Sequence, residues 1–439
     1  MQKIIVKRSN VSGTIDIPGD KSISHRAVMI ASIAKGRSVI KGLLNSEDVE
    51  NTVRAFRQMG VKITGVRGKG AGYREIQIHG KGLYLKKPKK AINCGNSGTT
   101  MRLISGILAG QDFASKLTGD ASLTKRPMAR IIMPLQKMGA AIKAGSKNYP
   151  PFLIQGSDLR QLPSPHKMQI ASAQVKSCLL LAHLYTKGKF RIIEPALCRD
   201  HTERMLKFLG ARIEKKGLAT TLISPSRLKG RSIEIPKDIS SAGFFLVLGA
   251  IARSGRITMK HVGINPTRNA IIDVLKKMGA RITVKNKRVS CEEPVADISV
   301  EPSRLKGISI KGKVIPVIID ELPILAIAAT QAKGRTIIRD ASELRVKETD
   351  RIRSMVTGLK KMGARIKELK DGMVIDGPVK LKGASIKSYG DHRTAMSFVV
   401  AGLVSQGNTV INDTQCIDTS FPGFINIIKK CGASVKAVG

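Results

Sequence analysis

The chain of 439 residues is long enough for two domains with cores of their own, and its 42% apolar content is that of a folded globular protein rather than a disordered tail. Its 76 Lys and Arg against 32 Asp and Glu leave a formal charge of +44, which calls for anionic partners, yet no Trp and only 3% aromatic residues count against a base-stacking nucleic-acid binder. Six scattered cysteines (Cys94, Cys178, Cys198, Cys291, Cys416, Cys431) show neither C-x-x-C nor a His partner at metal spacing, and the start MQKIIVKRSN lacks the apolar core of a signal peptide, so a reduced cytoplasmic protein without a metal site or membrane span is expected.

In chain order, after a first strand ahead of PGDKS, two kinds of segment alternate. The first kind begins with AVMIASIAKGRSVI and returns as LISGILAGQDFASKL, SCLLLAHLYTKGKFRII, FFLVLGAIARSGRITM, LAIAATQAKGRTII and SFVVAGLVSQGNTVI. Each reads as a helix, a glycine-containing stop and a strand. The helices are apolar nearly all round, which predicts that they are buried among other elements. The second kind begins with FRQMGVKI and returns as LQKMGAAI, LKFLGARI, LKKMGARI, a second LKKMGARI and IKKCGASV. Each reads as the end of an amphipathic helix stopped by a glycine in the left-handed conformation, then a strand. The glycines are Gly60, Gly139, Gly210, Gly279, Gly363 and Gly432. Their spacing marks a supersecondary unit, not a short solenoid repeat.

Six such units predict an α/β protein of two domains with three units each. The expected domains are 20–240, and 1–19 together with 241–439. Because the first strand has no helix in front of it, it is expected to pair within the second domain. The segments RLKGRSIEI, RLKGISIKG and KLKGASIKS are expected to supply the last strand of later units.

The helix starts carry cations, which oppose the positive end of a helix dipole unless an anion is also bound. Lys21 and Arg26 lie in GDKSISHRA, Arg102 in GNSGTTMRL, Lys125 and Arg126 in SLTKRPMAR, Lys176 in SAQVKS, Arg199 in RDHTE, Lys347 in RVKETDR, and His392 and Arg393 in GDHRTAMS. Singly, each is an ordinary solvated charge, and Ser172 and Gln174 are ordinary capping groups. Together they predict an anion trap of helix starts, backbone amides and forked guanidiniums. Asp320 and Glu321 in VIIDELPILAIAAT and Glu348 in VKETD are common helix-start charges, but beside such a trap they would be the bases available for proton transfer.

The motifs PGDKSISHRA, GNSGTTMRL, TGDASLTKRPM, SAQVKS, RDHTE, LRVKETDR, the DHR and AMSF residues, and TSFP together resemble the 5-enolpyruvylshikimate-3-phosphate synthase family, in order and over essentially the whole chain. SAQVKS and RDHTE resemble the branch that includes many glyphosate-tolerant bacterial members. The resemblance implies two inside-out, barrel-like α/β domains, each of three βαβαββ units, with the active site in the cleft between them. It implies transfer of the enolpyruvyl group of phosphoenolpyruvate to the 5-hydroxyl of shikimate 3-phosphate by addition and elimination, without metal or organic cofactor, in a cytoplasmic monomer.

Carried over by motif, Lys21 would contact both substrates. Ser22, Arg26, Ser172, Ala173, Gln174 and Arg199 would hold shikimate 3-phosphate, with Asp320 and Lys347 at its edge. Asn96, Gly98, Arg126, Gln174, Arg351 and Arg393 would cradle phosphoenolpyruvate. Asp320 would take the 5-hydroxyl proton and Glu348 would handle the proton on the methylene carbon. The chain departs from the family at Thr419, where some members have lysine, and at Leu103, where many have proline. The sister enolpyruvyl transferase acting on UDP-N-acetylglucosamine usually has Lys-Asn and a cysteine where this chain has Lys21-Ser22 and GDASLTKRP, which ranks it second. A basic nucleic-acid-binding protein is the alternative from another class.

Overall fold

The six glycines behave as the local chemistry requires. In the computed structural model, which describes residues 2–67 and 73–438, Gly60, Gly139, Gly210, Gly279, Gly363 and Gly432 have φ between +82° and +103°, a region that costs glycine nothing and any residue with a Cβ a good deal. Each ends a helix (Glu47–Gln58, Ala129–Lys137, His201–Phe208, Ala270–Lys277, Arg351–Lys361, Phe424–Lys430) and releases the chain into a strand.

Apart from the one-turn helix Ile315–Ile318, the other α-helices among the described residues are Lys21–Ser32, Gly98–Ala109, Ala173–His183, Ile239–Ile251, Leu322–Gln331 and His392–Val404. They are buried almost throughout, as their all-round apolar surface predicts. Among the described residues no single helix is long and apolar enough to cross a membrane.

The chain divides into two compact units. One comprises Gly19–Pro236 with Val289–Glu293; the other comprises Met1–Pro18, Lys237–Arg288 and Pro294–Gly439. The five residues 289–293, the tip of a hairpin, were not anticipated in the first unit. Each unit has its own apolar core and three separate four-stranded sheets, not one continuous barrel.

A sheet of the first unit shows the plan. Ile92–Asn93 runs parallel to Ala114–Thr118, which pairs antiparallel with Phe152–Gln155, and that strand pairs antiparallel with Ala141–Ala144. The buried helix Gly98–Ala109 is the crossover that a parallel pair needs. The RLKG-type segments take the leading place in this plan, not the final one expected. Ser309–Ile310 runs parallel to Gly334–Ile338, Ser385–Lys387 to Thr409–Asn412, and Ser232–Glu234 returns to Lys35–Lys41. A parallel pair needs a crossover, and in the first two cases the next buried helix provides it.

In the second unit the opening strand Lys3–Lys7 is antiparallel to both Thr409–Asn412 and Ser434–Val438, while Gly13–Ile15 runs parallel to Ile257–Gly263. The N-terminal segment thus supplies strands to sheets made largely of residues hundreds of positions later.

Candidate active site

In the first unit the starts of three buried helices are capped by side chains: Asp20 accepts from the Ile23 amide (2.8 Å), Ser97 from Thr100 (3.1 Å) and Ser172 from Val175 (3.4 Å). Lys21, the first residue of its helix, pairs with Asp48 at 2.5 Å. One turn on, Arg26 is only 3% exposed. Its guanidinium donates to Thr202 Oγ1 (2.7 Å), Ser177 Oγ (3.0 Å) and the Ser22 carbonyl (2.9 Å). Among the described residues no carboxylate lies within ion-pair distance of it. Burial pushes its pKa down to about 10, against the opposing pull of Glu203 and Asp20, and Arg199 adds repulsion. A buried cation held by neutral groups beside another cation favours an anion nearby.

Two further chains of contacts tie neighbouring helix starts together. Arg102 donates to Gln174 Oε1 (2.8 Å), and Gln174 donates to Thr99 Oγ1 (3.1 Å). Arg126 donates to Asn96 Oδ1 (2.8 Å) and Ser122 Oγ (3.2 Å), and Asn96 donates to Asp120 (2.9 Å). Gly98 lies between these arginines: a Cβ there would stand 2.7 Å from Arg102 and 3.5 Å from Arg126. Ser172, Ala173 and Gln174 are half-buried in sequence at the start of their helix, and Arg199 is half-buried just ahead of His201–Phe208.

Lys176 is a correction. Read from sequence as one of the anion-trapping cations, it is wholly buried, 2.9 Å from Glu194 and 2.6 Å from Glu203. It is neutralised from within and presents no charge to solution.

In the second unit Arg351 organises the carboxylates. Its Nε donates to Asp391 (2.8 Å), one terminal nitrogen to Asp320 (3.4 Å) and the other to Glu348 (2.6 Å). Burial opposes its charge, but Asp391, Glu348 and Asp320 more than offset this and raise its pKa. Arg351 and Asp391 are inaccessible, whereas the side chains of Asp320 and Glu348 keep 19% and 27% of their exposure. One guanidinium thus fixes two carboxylates that can both still reach solvent.

Arg393 donates to Ser240 Oγ (2.7 Å) and the Asp320 carbonyl (2.8 Å). Lys347 pairs with Glu343 at 3.2 Å. Asp391, Arg268 and Ser240 were missed as site members in the sequence. Asp391 had a signal, since it directly precedes His392 and caps that helix by accepting from the Arg393 and Thr394 amides. Arg268 and Ser240 had none, because their partners are distant in the chain. Among the described residues no three His, Cys, Asp or Glu side chains gather as metal ligands would; the carboxylates face guanidinium and ammonium groups.

Comparison with known proteins is consistent over the full length. The family described as EPSP synthase (3-phosphoshikimate 1-carboxyvinyltransferase) matches residues 5–428. A 3-phosphoshikimate 1-carboxyvinyltransferase of Thermoanaerobacter sp. (strain X514) is 48% identical over 420 residues, covering 96% of this chain and 97% of that protein. One from Desulforamulus reducens is 47% identical over 433 residues, covering 98% and 99%. A solved structure of EPSP synthase from Acinetobacter baumannii superposes with a TM-score of 0.90 at 43% identity, covering 100% of both chains.

Proposed function

The chain belongs to the EPSP synthase family, and from that premise we propose how its residues divide the work. The protein transfers the enolpyruvyl group of phosphoenolpyruvate to the 5-hydroxyl of shikimate 3-phosphate and releases phosphate, a step of the shikimate pathway towards chorismate and the aromatic amino acids. We propose further that it acts as a cytoplasmic monomer, as the resemblance implies.

Shikimate 3-phosphate is assigned to Lys21, Ser22, Arg26, Ser172, Ala173, Gln174 and Arg199, with Asp320 and Lys347 at its edge. Phosphoenolpyruvate is assigned to Lys21, Asn96, Gly98, Arg126, Gln174, Arg351 and Arg393. What supports the first set is Arg26, a buried guanidinium with hydroxyl and carbonyl partners and no ion-paired carboxylate among the described residues. What supports the second is the network around Gly98, where the missing Cβ leaves room beside two arginines.

In the addition step the 5-hydroxyl oxygen bonds to C2 of the enol phosphate, its proton passing to Asp320, while C3 gains a proton from Glu348. In the elimination step C3 gives a proton back and the C2–O bond to phosphate breaks. The cations stabilise the charge that collects on the departing phosphate. The observation that carries this reading is the Arg351 guanidinium, which holds Asp320 and Glu348 on adjacent nitrogens while leaving both partly exposed.

The test is Asp320→Ala. A carboxylate repels both polyanions, so the variant should bind shikimate 3-phosphate at least as well by calorimetric titration. Turnover, read as phosphate release, should drop by about a hundredfold to ten-thousandfold, the usual contribution of a positioned general base. Near-normal turnover would remove Asp320 from the mechanism.

A further inference from the structure

Glu321 follows Asp320 directly but is wired differently. It is 1% exposed, and its carboxylate is engaged by protein groups. Its carboxylate accepts a hydrogen bond from Ser240 Oγ and sits 3.0 Å from Arg268 and 3.7 Å from Arg393. Ser240 in turn accepts from Arg393 at 2.7 Å. The order is therefore Glu321, Ser240, Arg393, with one hydroxyl relaying the orientation of a carboxylate to a guanidinium.

Among the described residues every contact of the Arg393 guanidinium uses a single nitrogen, Nη1, which meets Ser240, the Asp320 carbonyl and the edge of Glu321. Among the described residues nothing engages its Nε or Nη2. The side chain is gripped at one corner, and the edge that can fork onto an oxyanion faces no protein partner. The same Glu321 oxygen also meets Arg268, which is 4% exposed and whose Nη1 is also 3.8 Å from Asp320. If the charge of Glu321 were lost, that buried cation would draw on Asp320 for compensation.

We propose that Glu321 is a positioning residue for the transfer reaction: through Ser240 it aims Arg393 at the anionic enolpyruvyl donor, and by engaging Arg268 it keeps that charge from collapsing onto Asp320. The inference rests on the assignment of Arg393 to the donor and of Asp320 to the hydroxyl proton. A purely structural ion pair would affect both substrates alike. A positioning role affects the donor selectively.

The experiment is steady-state kinetics, each substrate varied in turn, on Glu321→Gln, Ser240→Ala, the double variant and Arg393→Ala. For Glu321→Gln the KM for phosphoenolpyruvate should rise about tenfold and kcat should fall about tenfold, while the KM for shikimate 3-phosphate stays within about twofold. Ser240→Ala leaves the buried ion pairs in place and should raise only the KM for phosphoenolpyruvate, so it decides the matter if Glu321→Gln folds poorly. The double variant should be no worse in that KM than Glu321→Gln alone, because both weaken the same relay, one by removing its charge and the other its hydroxyl.

Equal rises in both Michaelis constants, or effects of the two substitutions that multiply, would overturn the proposal. If Arg393→Ala raises the KM for phosphoenolpyruvate while neither Glu321→Gln nor Ser240→Ala does, the positioning role fails and the assignment of Arg393 stands. If Arg393→Ala leaves that KM unchanged, the assignment itself is wrong and the proposal falls with it.

Discussion

Substituting methionine for Lys176 would strand two carboxylates in the interior of the first unit. The ammonium is wholly buried between Glu194 and Glu203, themselves buried. Burial works against its charge, but the two glutamates more than offset that and raise its pKa. Removing one partner of a buried ion pair costs about 3–5 kcal/mol. Here Lys215 stands 3.5 Å from Glu194 and 3.9 Å from Glu203, and the Cys198 amide donates to Glu194, so part of the compensation survives. The lower end, about 3 kcal/mol, is therefore expected. In a unit of roughly 220 residues each kcal/mol moves the midpoint by about 2–4 °C, so Tm should fall by about 6–12 °C.

The pH dependence has a definite sign. A lysine whose folded pKa lies above its unfolded value contributes fully below the unfolded value, about 10.4, and loses that contribution as pH rises through the folded one. The gap between natural and variant chains should hold at neutral pH and narrow in strongly alkaline solution as Lys176 loses its proton, and also in acid as the stranded glutamates gain theirs. Calorimetric melting at pH 7 and above pH 10 reads both effects. A Tm within about 2 °C of the natural chain at pH 7 would refute the reasoning, since it would mean that the network re-forms around Lys215 at almost no cost.

Thr202→Val removes the acceptor that holds Arg26 Nε; the KM for shikimate 3-phosphate should rise about tenfold, that for phosphoenolpyruvate should stay put, and a matched rise in both would contradict the assignment. Gly98→Ala sets a methyl against the mobile end of Arg102 and not against backbone, so Tm should hardly change. Displacing Arg102 from Gln174 should cost about 1 kcal/mol, seen as a roughly fivefold rise in the KM for phosphoenolpyruvate; an unchanged constant would place that substrate elsewhere. The +44 charge should hasten capture of both polyanions, so kcat/KM should decline as ionic strength rises from 0.01 to 0.15 M and the Debye length shrinks from about 30 to about 8 Å. A flat profile would make the surface charge irrelevant to capture.

Much of this protein is legible from local sequence, because its signals act over one or two helical turns. A glycine such as Gly363 ends a helix through its own backbone freedom, whatever packs around it. The all-round apolar character of Leu322–Gln331 announces burial before any neighbour is known. Serines and aspartates such as Ser97 and Asp391 cap the helices that they precede. The cations at helix starts are visible for the same reason, and with them the anionic character of the substrates. Family motifs supply the rest of the chemistry.

Tertiary structure alone decided which charge answers which. Lys176 and Arg26 look alike in sequence, as cations near a helix start, yet one is neutralised by Glu194 and Glu203 and the other is held by the hydroxyls of Thr202 and Ser177. Arg351 finds Asp320 and Asp391, each more than thirty residues away, and Ser240 reaches Arg393 across 153. Periodicity reports that a face is buried, not what lies against it. An ion pair depends on the register with which separate sheets and helices pack, and that register is a sum over the whole core in which no single stretch of chain carries a signal strong enough to read.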